Sequence, residues 1–384
     1  MAERCAVLGI GQTKHDGERE DVSIAGLVRE AAIRALEDAQ LDWADIDAVV
    51  IGKAPDMFEG VVMPELYLAD ALGATGKPML RVHTAGSVGG STAVVASHLV
   101  QGGVHQRVLT VAFEKQSESD VMWALAPKIP FSPPIVAGAG GYFAPHIREY
   151  IRRSSAPDTV GIKVAVKDRL NALKNPYAHL HMEDISFEQV ADSPMLWDPI
   201  RYLETCPSSD GACAMVLGSE SVAAKSRNPA WVLGTAVRSE PIGMAGRDEV
   251  DPRAGRMCAA DVYKQAGITN PHRDIDVAEI YVPFSWYEPM WLENLGFAEQ
   301  NAGWKLVDDG TTALDGDLPI NPSGGVLSTN PIGASGMLRF AEAALQVRGE
   351  AGEHQVDGAK VALGHAYGGG SQFSAMWVVS SEKS

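Results

Sequence analysis

The stretch Val82-His-Thr-Ala-Gly-Ser-Val-Gly-Gly-Ser-Thr-Ala-Val-Val-Ala-Ser-His-Leu-Val-Gln-Gly-Gly103 decides the fold. An apolar run, Pro78-Met-Leu-Arg-Val82, stops at His83, and a period near 3.6 then takes over, predicting a helix with Val88, Thr92, Val95 and Leu99 on one face. Gly86, Gly89 and Gly90 allow a tight turn and the close approach of a ligand or another backbone. A strand that feeds a helix through such an elbow leaves the N–H groups around Ser87 pointing out of the helix start, ready for an anion or a developing oxyanion. The same pattern also suits a helix start that needs glycine only for close packing.

Working outward, Cys5 to Ile10 is predicted as a strand, Val22 to Leu41 as a helix with Ser23 near its cap, Ile46 to Gly52 as a strand and Met63 to Leu72 as a short helix. Beyond the elbow, Arg107 to Phe113 is the next strand. This alternation implies a mostly parallel sheet covered on both faces, with ligands at the carboxyl ends of its strands. From Glu114 to Thr205 the alternation stops. Pro127, Pro130, Pro133 and Pro134 punctuate an irregular stretch, and the helices after it are expected to cover the sheet's active end.

A strand returns at Gly211 to Leu217, and the pattern then repeats. Ala230 to Val237 is a strand, 256–266 a helix, Val277 to Pro283 a strand and Glu288 to Leu295 a helix. A second elbow, Gly324-Gly-Val-Leu-Ser-Thr-Asn-Pro-Ile-Gly-Ala-Ser-Gly336, leads into a helix from Met337 to Arg348. Lys360 to Gly364 and Phe373 to Val379 close the chain as strands around the Gly368-Gly-Gly370 turn. Two elbows in corresponding places predict duplicated halves, 1–225 (with the insertion 114–205) and 226–384, in five α/β/α/β/α layers around one site.

Composition bounds the function. With 384 residues, 46% of them hydrophobic, the chain can bury a large core. No apolar run reaches bilayer-spanning length and the N-terminus lacks an apolar signal segment, so a cytoplasmic enzyme is expected. A net charge of −17 argues against nucleic acid as the main partner. Four cysteines without metal-ligand spacing predict reduced, mostly buried thiols and no metal site. Between Arg148 and Lys174, seven Lys/Arg against three acids form a local basic patch, suited to the phosphates of a nucleotide-bearing ligand or to an ordinary solvated helix face.

Five motifs then coincide with the predicted junctions: Gly90-Ser-Thr-Ala93 with Gln101-Gly-Gly103, Cys206-Pro-Ser-Ser-Asp-Gly-Ala212, Glu279-Ile-Tyr-Val-Pro-Phe284, Asn330-Pro-Ile-Gly-Ala-Ser-Gly336 and Gly368-Gly-Gly370. Together they resemble the thiolase superfamily, in particular its lipid-transfer group related to sterol carrier protein thiolases. The resemblance implies the thiolase fold, an acyl-CoA substrate with coenzyme A as part of it, no tightly bound cofactor, and a homodimer formed through the first-half sheets. It also draws attention to departures. Ser87 stands where a thiolase has its nucleophilic cysteine, Asn330 replaces the activating histidine, and the second cysteine falls on Ala366. A serine needs an adjacent base to attack a thioester, for which His83 is the candidate, and Asn330 cannot move a proton near neutral pH.

Tyr281, where thiolases carry an asparagine, resembles instead a mark of thiolase-like aldolases that act on steroid side-chain CoA esters. Those enzymes have a second tyrosine where this chain has Asn330. The resemblance implies retro-aldol cleavage of a 3-hydroxyacyl-CoA and a partner of the DUF35 type, an OB-fold with a zinc ribbon. Tyr281 is assigned to proton transfer, in a pocket with His365 and Tyr367; Ser87, Gly368 and Asn330 form the oxyanion hole, and Arg148, Arg152, Arg153, Lys163 and Lys167 meet the CoA phosphates. A tyrosine near pKa 10 is a poor base at pH 7, so the site is expected to lower it or relay its proton through His365. Cys206 is expected to be a buried structural thiol and Asp210 to orient backbone. An acetyl-CoA acetyltransferase-type thiolase using Ser87 and a non-catalytic lipid or acyl-CoA binding protein are the competing readings.

Overall fold

A computed structural model of the chain describes residues 3–54, 63–118, 138–241 and 246–383. The prolines at 127, 130, 133 and 134 lie outside the described residues. The elements that build the site are strands β1 (Cys5–Gln12), β2 (Ala48–Lys53), β3 (Met79–Val82), β4 (Arg107–Lys115), β5 (Asp210–Ser219), β6 (Ala230–Ser239), β7 (Val277–Glu279), β8 (Val361–Gly368) and β9 (Phe373–Ser380). The helices are α1 (Ile24–Ala39), α2 (Val88–Gln101), α3 (Gly138–Ser154), α4 (Val160–Ala172), α5 (Arg253–Ala266), α6 (Tyr287–Asn294) and α7 (Ile332–Arg348).

The strands order as β3-β2-β4-β5-β1-β6-β9-β8-β7. From the centre outward, β1, β5, β4 and β2 mirror β6, β9, β8 and β7, and an isolated bridge between Ala278 and Ile320 stands where β3 stands in the first half. Within the sheet, among the described residues, the two half-sheets meet through two residue pairs, Ala6 with Trp231 and Val7 with Ala230. The duplication is therefore real in space, but the expected mostly parallel sheet is not. Only β2–β3, β2–β4 and β7–β8 pair in parallel. The other five pairings are antiparallel: in four of them the last strand of a half, β5 or β9, lies between two earlier strands of that half and runs against both, and the fifth is the β1–β6 seam.

Layering follows from which faces are apolar. Ser23 caps α1 by accepting the Gly26 N–H, and the stripe Leu27, Val28, Ala31, Ala32, Ala35 and Leu36 packs on the first half-sheet. Helix α5 covers β6 and β9 in the same way. Helices α2 and α7 lie between the half-sheets and touch strands of both, which gives the five layers. A helix enclosed on both sides has no single core face. Val88 and Thr92 are buried as expected, whereas Val95 and Leu99 are half-exposed and the burial extends instead over Ala93, Val94, Ala96 and Ser97.

Glycine fixes how closely the central helices cross. A Cβ on Gly89 would stand 2.5 Å from the Met337 nitrogen, and one on Gly336 would stand 2.8 Å from the Gly90 nitrogen. The Ala366 methyl fills the space beside Gly90 and Gly336. Among the insertion's described residues, α4 is tied to the segment that leads into the second elbow: Lys167 Nζ donates to the Ile320 carbonyl and Asn171 Nδ2 to the Asn321 carbonyl, while Asn175, just beyond α4, donates to that of Ser323. Among the described residues no helix is long and apolar enough to cross a membrane.

Candidate active site

Both elbows and the carboxyl ends of β7 and β8 converge. At the first elbow Ala85 is forced into the left-handed region (φ 52°), a strained conformation for a residue with a Cβ. Next to it, Gly368 presses so close that a Cβ there would lie 2.4 Å from the Ser87 nitrogen and 2.5 Å from the Gly86 nitrogen. Ser87 and Gly368 thus meet backbone to backbone at the start of α2, where no side chain caps the first N–H groups. The Ser87 hydroxyl is buried and donates to the Thr84 carbonyl at 2.8 Å, with Thr84 Oγ1 3.0 Å away. His83 is exposed, not the enclosed base of a serine nucleophile.

Tyr281 lies two residues beyond the end of β7, a strand that stops four residues before the Pro283 expected from the sequence. Its backbone is pinned by Trp291 Nε1, which donates to the Tyr281 carbonyl at 2.8 Å. Its ring is 5% exposed, and its hydroxyl lies 4.0 Å from where a Gly86 Cβ would be and 3.4 Å from Asn330 Oδ1, to which it donates. The hydroxyl is thereby held between the two elbows. Tyr367 meets the Tyr281 ring edge-on at 5.3 Å and stacks on Tyr287 at 5.8 Å. Phe143, on insertion helix α3, completes this wall against Tyr367 and Phe284.

Burial sets the protonation of the cluster. It pushes the Tyr281 and Tyr367 phenols well above their ordinary value of 10, so the expected lowering at Tyr281 is reversed. It also pushes His365 down to about 3, leaving a neutral ring. His365 Nδ1 accepts the Tyr281 backbone N–H at 3.5 Å, so this nitrogen faces the main chain and not the phenol it was expected to serve.

Asn330 links the cluster to a segment that sequence reasoning set aside. Its Oδ1 accepts from Ser335 Oγ at 2.8 Å, and its Nδ2 donates to Cys206 Sγ at 3.2 Å. Cys206 is only partly buried, whereas Cys5, Cys213 and Cys258 are enclosed, which corrects the expectation of a buried structural thiol. The signal available in sequence was its position in the Cys206-Pro-Ser-Ser-Asp-Gly run at the end of the insertion. Asp210, by contrast, takes up the backbone N–H groups of Arg19 and Ser117, as foreseen.

The basic patch is not an unpaired field. Arg148 pairs with Asp198, Arg152 with Glu149, Arg153 with Glu149 and Asp248, and Lys163 with Asp308. Lys167 is enclosed against Glu288 at 2.7 Å and Asp168 at 3.2 Å, which withdraws it from a surface ligand. Among the described residues no group of three or more His, Cys, Asp or Glu is placed to hold a metal ion.

Known proteins share this design. The thiolase C-terminal domain-like family model matches residues 235–381. An acetyl-CoA acetyltransferase of Methanothermobacter thermautotrophicus is 33% identical over 98% of this chain and 99% of its own. Human sterol carrier protein 2 is 31% identical over 95% of this chain and 70% of its own. Among solved structures, the Ltp2-ChsH2(DUF35) aldolase superposes with a TM-score of 0.86 at 26% identity, covering 100% of this chain and 99% of that one.

Proposed function

We propose that this chain, which belongs to the thiolase superfamily and to its sterol carrier protein thiolase-like group, is an acyl-CoA aldolase that cleaves a 3-hydroxyacyl-CoA, a steroid side-chain ester above all, into a ketone or aldehyde and a shortened acyl-CoA. The observation that carries this reading is the Tyr281 hydroxyl, enclosed between the two elbows and facing Gly86 where the position of the thiolase sulfur holds Ser87. Retro-aldol cleavage needs no covalent nucleophile. It needs a group to take the proton of the C3 hydroxyl, donors for the enolate oxygen, and an acid for C2.

With its phenol held protonated by burial, Tyr281 works as a neutral relay and not as a phenolate base. Its oxygen accepts the substrate's hydroxyl proton as its own proton passes through water to the acid that protonates C2, the C2–C3 bond breaks, and the electron pair passes into the thioester as an enolate. The N–H groups at Ser87 and Gly368, with the Asn330 amide, receive the charge on the thioester oxygen. Tyr367 walls the reacting carbons, and His365 holds the Tyr281 backbone as a positioning residue. Arg148, Arg152, Arg153 and Lys163 exchange exposed carboxylate partners for CoA phosphates, which surface pairs worth about 0–1 kcal/mol permit.

A homodimer and a DUF35-type partner belong to the same proposal. The aldolase Ltp2-ChsH2(DUF35) supports the latter, and strand β3 supports the former, since it forms the sheet edge and leaves Leu80 44% exposed. The second reading, acyl transfer through Ser87, is favoured by the acetyltransferase relative but disfavoured by a buried hydroxyl whose proton points at a backbone carbonyl. The test is to supply a 3-hydroxy steroid side-chain acyl-CoA without free CoA, with and without the partner, and look for cleavage products by mass spectrometry. An acyl mass increment on Ser87 with no ketone or aldehyde would overturn the lyase reading.

A further inference from the structure

We infer that Cys206 is the acid that delivers the proton to C2, restoring a thiol to the site from a different segment than the one that holds Ala366. The inference rests on the aldolase reading and deepens it. Cys206 Sγ is 3.2 Å from Asn330 Nδ2, and Asn330 Oδ1 accepts from the Tyr281 hydroxyl, so one amide holds thiol and phenol on its two ends. The thiol is fixed in place from the main chain, since the Cys206 N–H donates to the Pro283 carbonyl at 3.0 Å, two residues beyond Tyr281, and Thr205 bridges Phe284.

Two features suit this thiol to give and regain a proton. Burial pushes it up to about 11, against the opposing pull of Arg169, so the sulfur carries its proton at neutral pH. Arg169 is itself buried and donates to the Thr205 carbonyl at 3.0 Å, which places a fixed cation one peptide away from the thiolate left behind. The step balances without a co-reactant. As the C2–C3 bond breaks, the enolate carbon takes the S–H proton and a new C2–H bond forms. The thiolate then recovers, through water, the proton that the C3 hydroxyl passed on by way of Tyr281. A sulfur whose lone pairs accept from Asn330 keeps its S–H directed away from the amide, free for carbon.

The test uses the full chain, with its partner where activity requires it, and compares wild type with Cys206→Ala and Cys206→Ser. Cys206→Ala is expected to lower kcat for cleavage by about 10²- to 10⁴-fold, the usual share of a general acid, with KM unchanged. Cys206→Ser keeps an acceptor for Asn330 but is a far weaker acid, so it is expected to retain folding and binding without restoring kcat. Iodoacetamide is expected to alkylate Cys206 ahead of the three enclosed cysteines, and saturating propionyl-CoA to protect it. Wild-type kcat in Cys206→Ala, or alkylation that propionyl-CoA leaves unaffected, would overturn the inference. Failure of wild type itself to release a ketone or aldehyde would sink the lyase reading instead, and the protection experiment would still report whether the thiol lines the acyl-CoA site.

Discussion

Removing one oxygen at position 281 separates catalysis from stability. The Tyr281 hydroxyl donates over a long 3.4 Å to Asn330 Oδ1, beside the Ser335 hydroxyl, and Asn330 Oδ1 keeps its 2.8 Å bond from Ser335 when the phenol is gone. The ring's edge contact with Tyr367 and the Trp291 bond to its carbonyl do not involve the hydroxyl. Tyr281→Phe is therefore expected to cost no more than about 1 kcal/mol of folding stability, the net worth of an ordinary hydrogen bond. The same change removes the proton relay, which is worth about 10²- to 10⁴-fold in rate, or about 2.7–5.5 kcal/mol of barrier. Denaturant unfolding measures the first quantity, and single-turnover release of ketone or aldehyde from a 3-hydroxyacyl-CoA measures the second. Because burial holds the phenol protonated, wild-type cleavage is expected to show no rising limb from Tyr281 between pH 6 and 9. A folded Tyr281→Phe protein that releases product at the wild-type rate would refute the relay and return the hydroxyl to the status of a packing group.

Four further outcomes are expected. Lys167→Met leaves Glu288 and Asp168 enclosed without their cation and should lose about 3–5 kcal/mol in denaturant unfolding; a near-neutral effect would reopen Lys167 as a ligand contact. Gly89→Ala drives a methyl against the Met337 nitrogen and the Gly333 carbonyl and should cost at least about 1–3 kcal/mol, while Gly17→Ala, whose methyl meets His179 at 3.5 Å, should be nearly silent in the same thermal melt. Burial works against the charged His354 ring, but Glu342 outweighs it and raises the folded-state pKa above the ordinary 6.5. That contribution is complete below the unfolded value and is lost as pH rises through the raised one, so the gap in stability between wild type and His354→Gln should narrow with rising pH; a constant gap would deny the pairing. Replacing Arg148, Arg152 and Arg153 together by Gln should weaken CoA-ester binding at low salt and flatten its salt dependence in calorimetry, and unchanged affinity would remove these arginines from the ligand set.

The elbows were legible in the sequence because glycine at 86, 89, 90, 333 and 336 has few purposes other than a turn or a close approach, and the strands before them end abruptly. The meeting of Tyr281, Asn330, His365 and Tyr367 was legible through motif order. Strand direction was not, since β5 and β9 are buried on both faces and read as the same apolar runs whichever way they point. Nor was the face of α2, because a helix enclosed from two sides carries no amphipathic stripe. The tyrosine and histidine shifts come from burial by remote segments, which local spacing does not encode. Likewise the carboxylates that occupy the basic patch, at 198, 248, 288 and 308, and the contact of Cys206 with a residue 124 positions away, exist only once the chain is folded.

Helices α2 and α7 cross where neither has room for a methyl group, so the halves are locked at their midline even though their sheets share only a two-pair seam. Such a joint resists both sliding and hinging. Under the proposed activity, room for an acyl chain is then sought on the insertion side, where Phe143 leans on Tyr367, and the proposed partner seated at that rim would govern entry without disturbing the machinery beneath it.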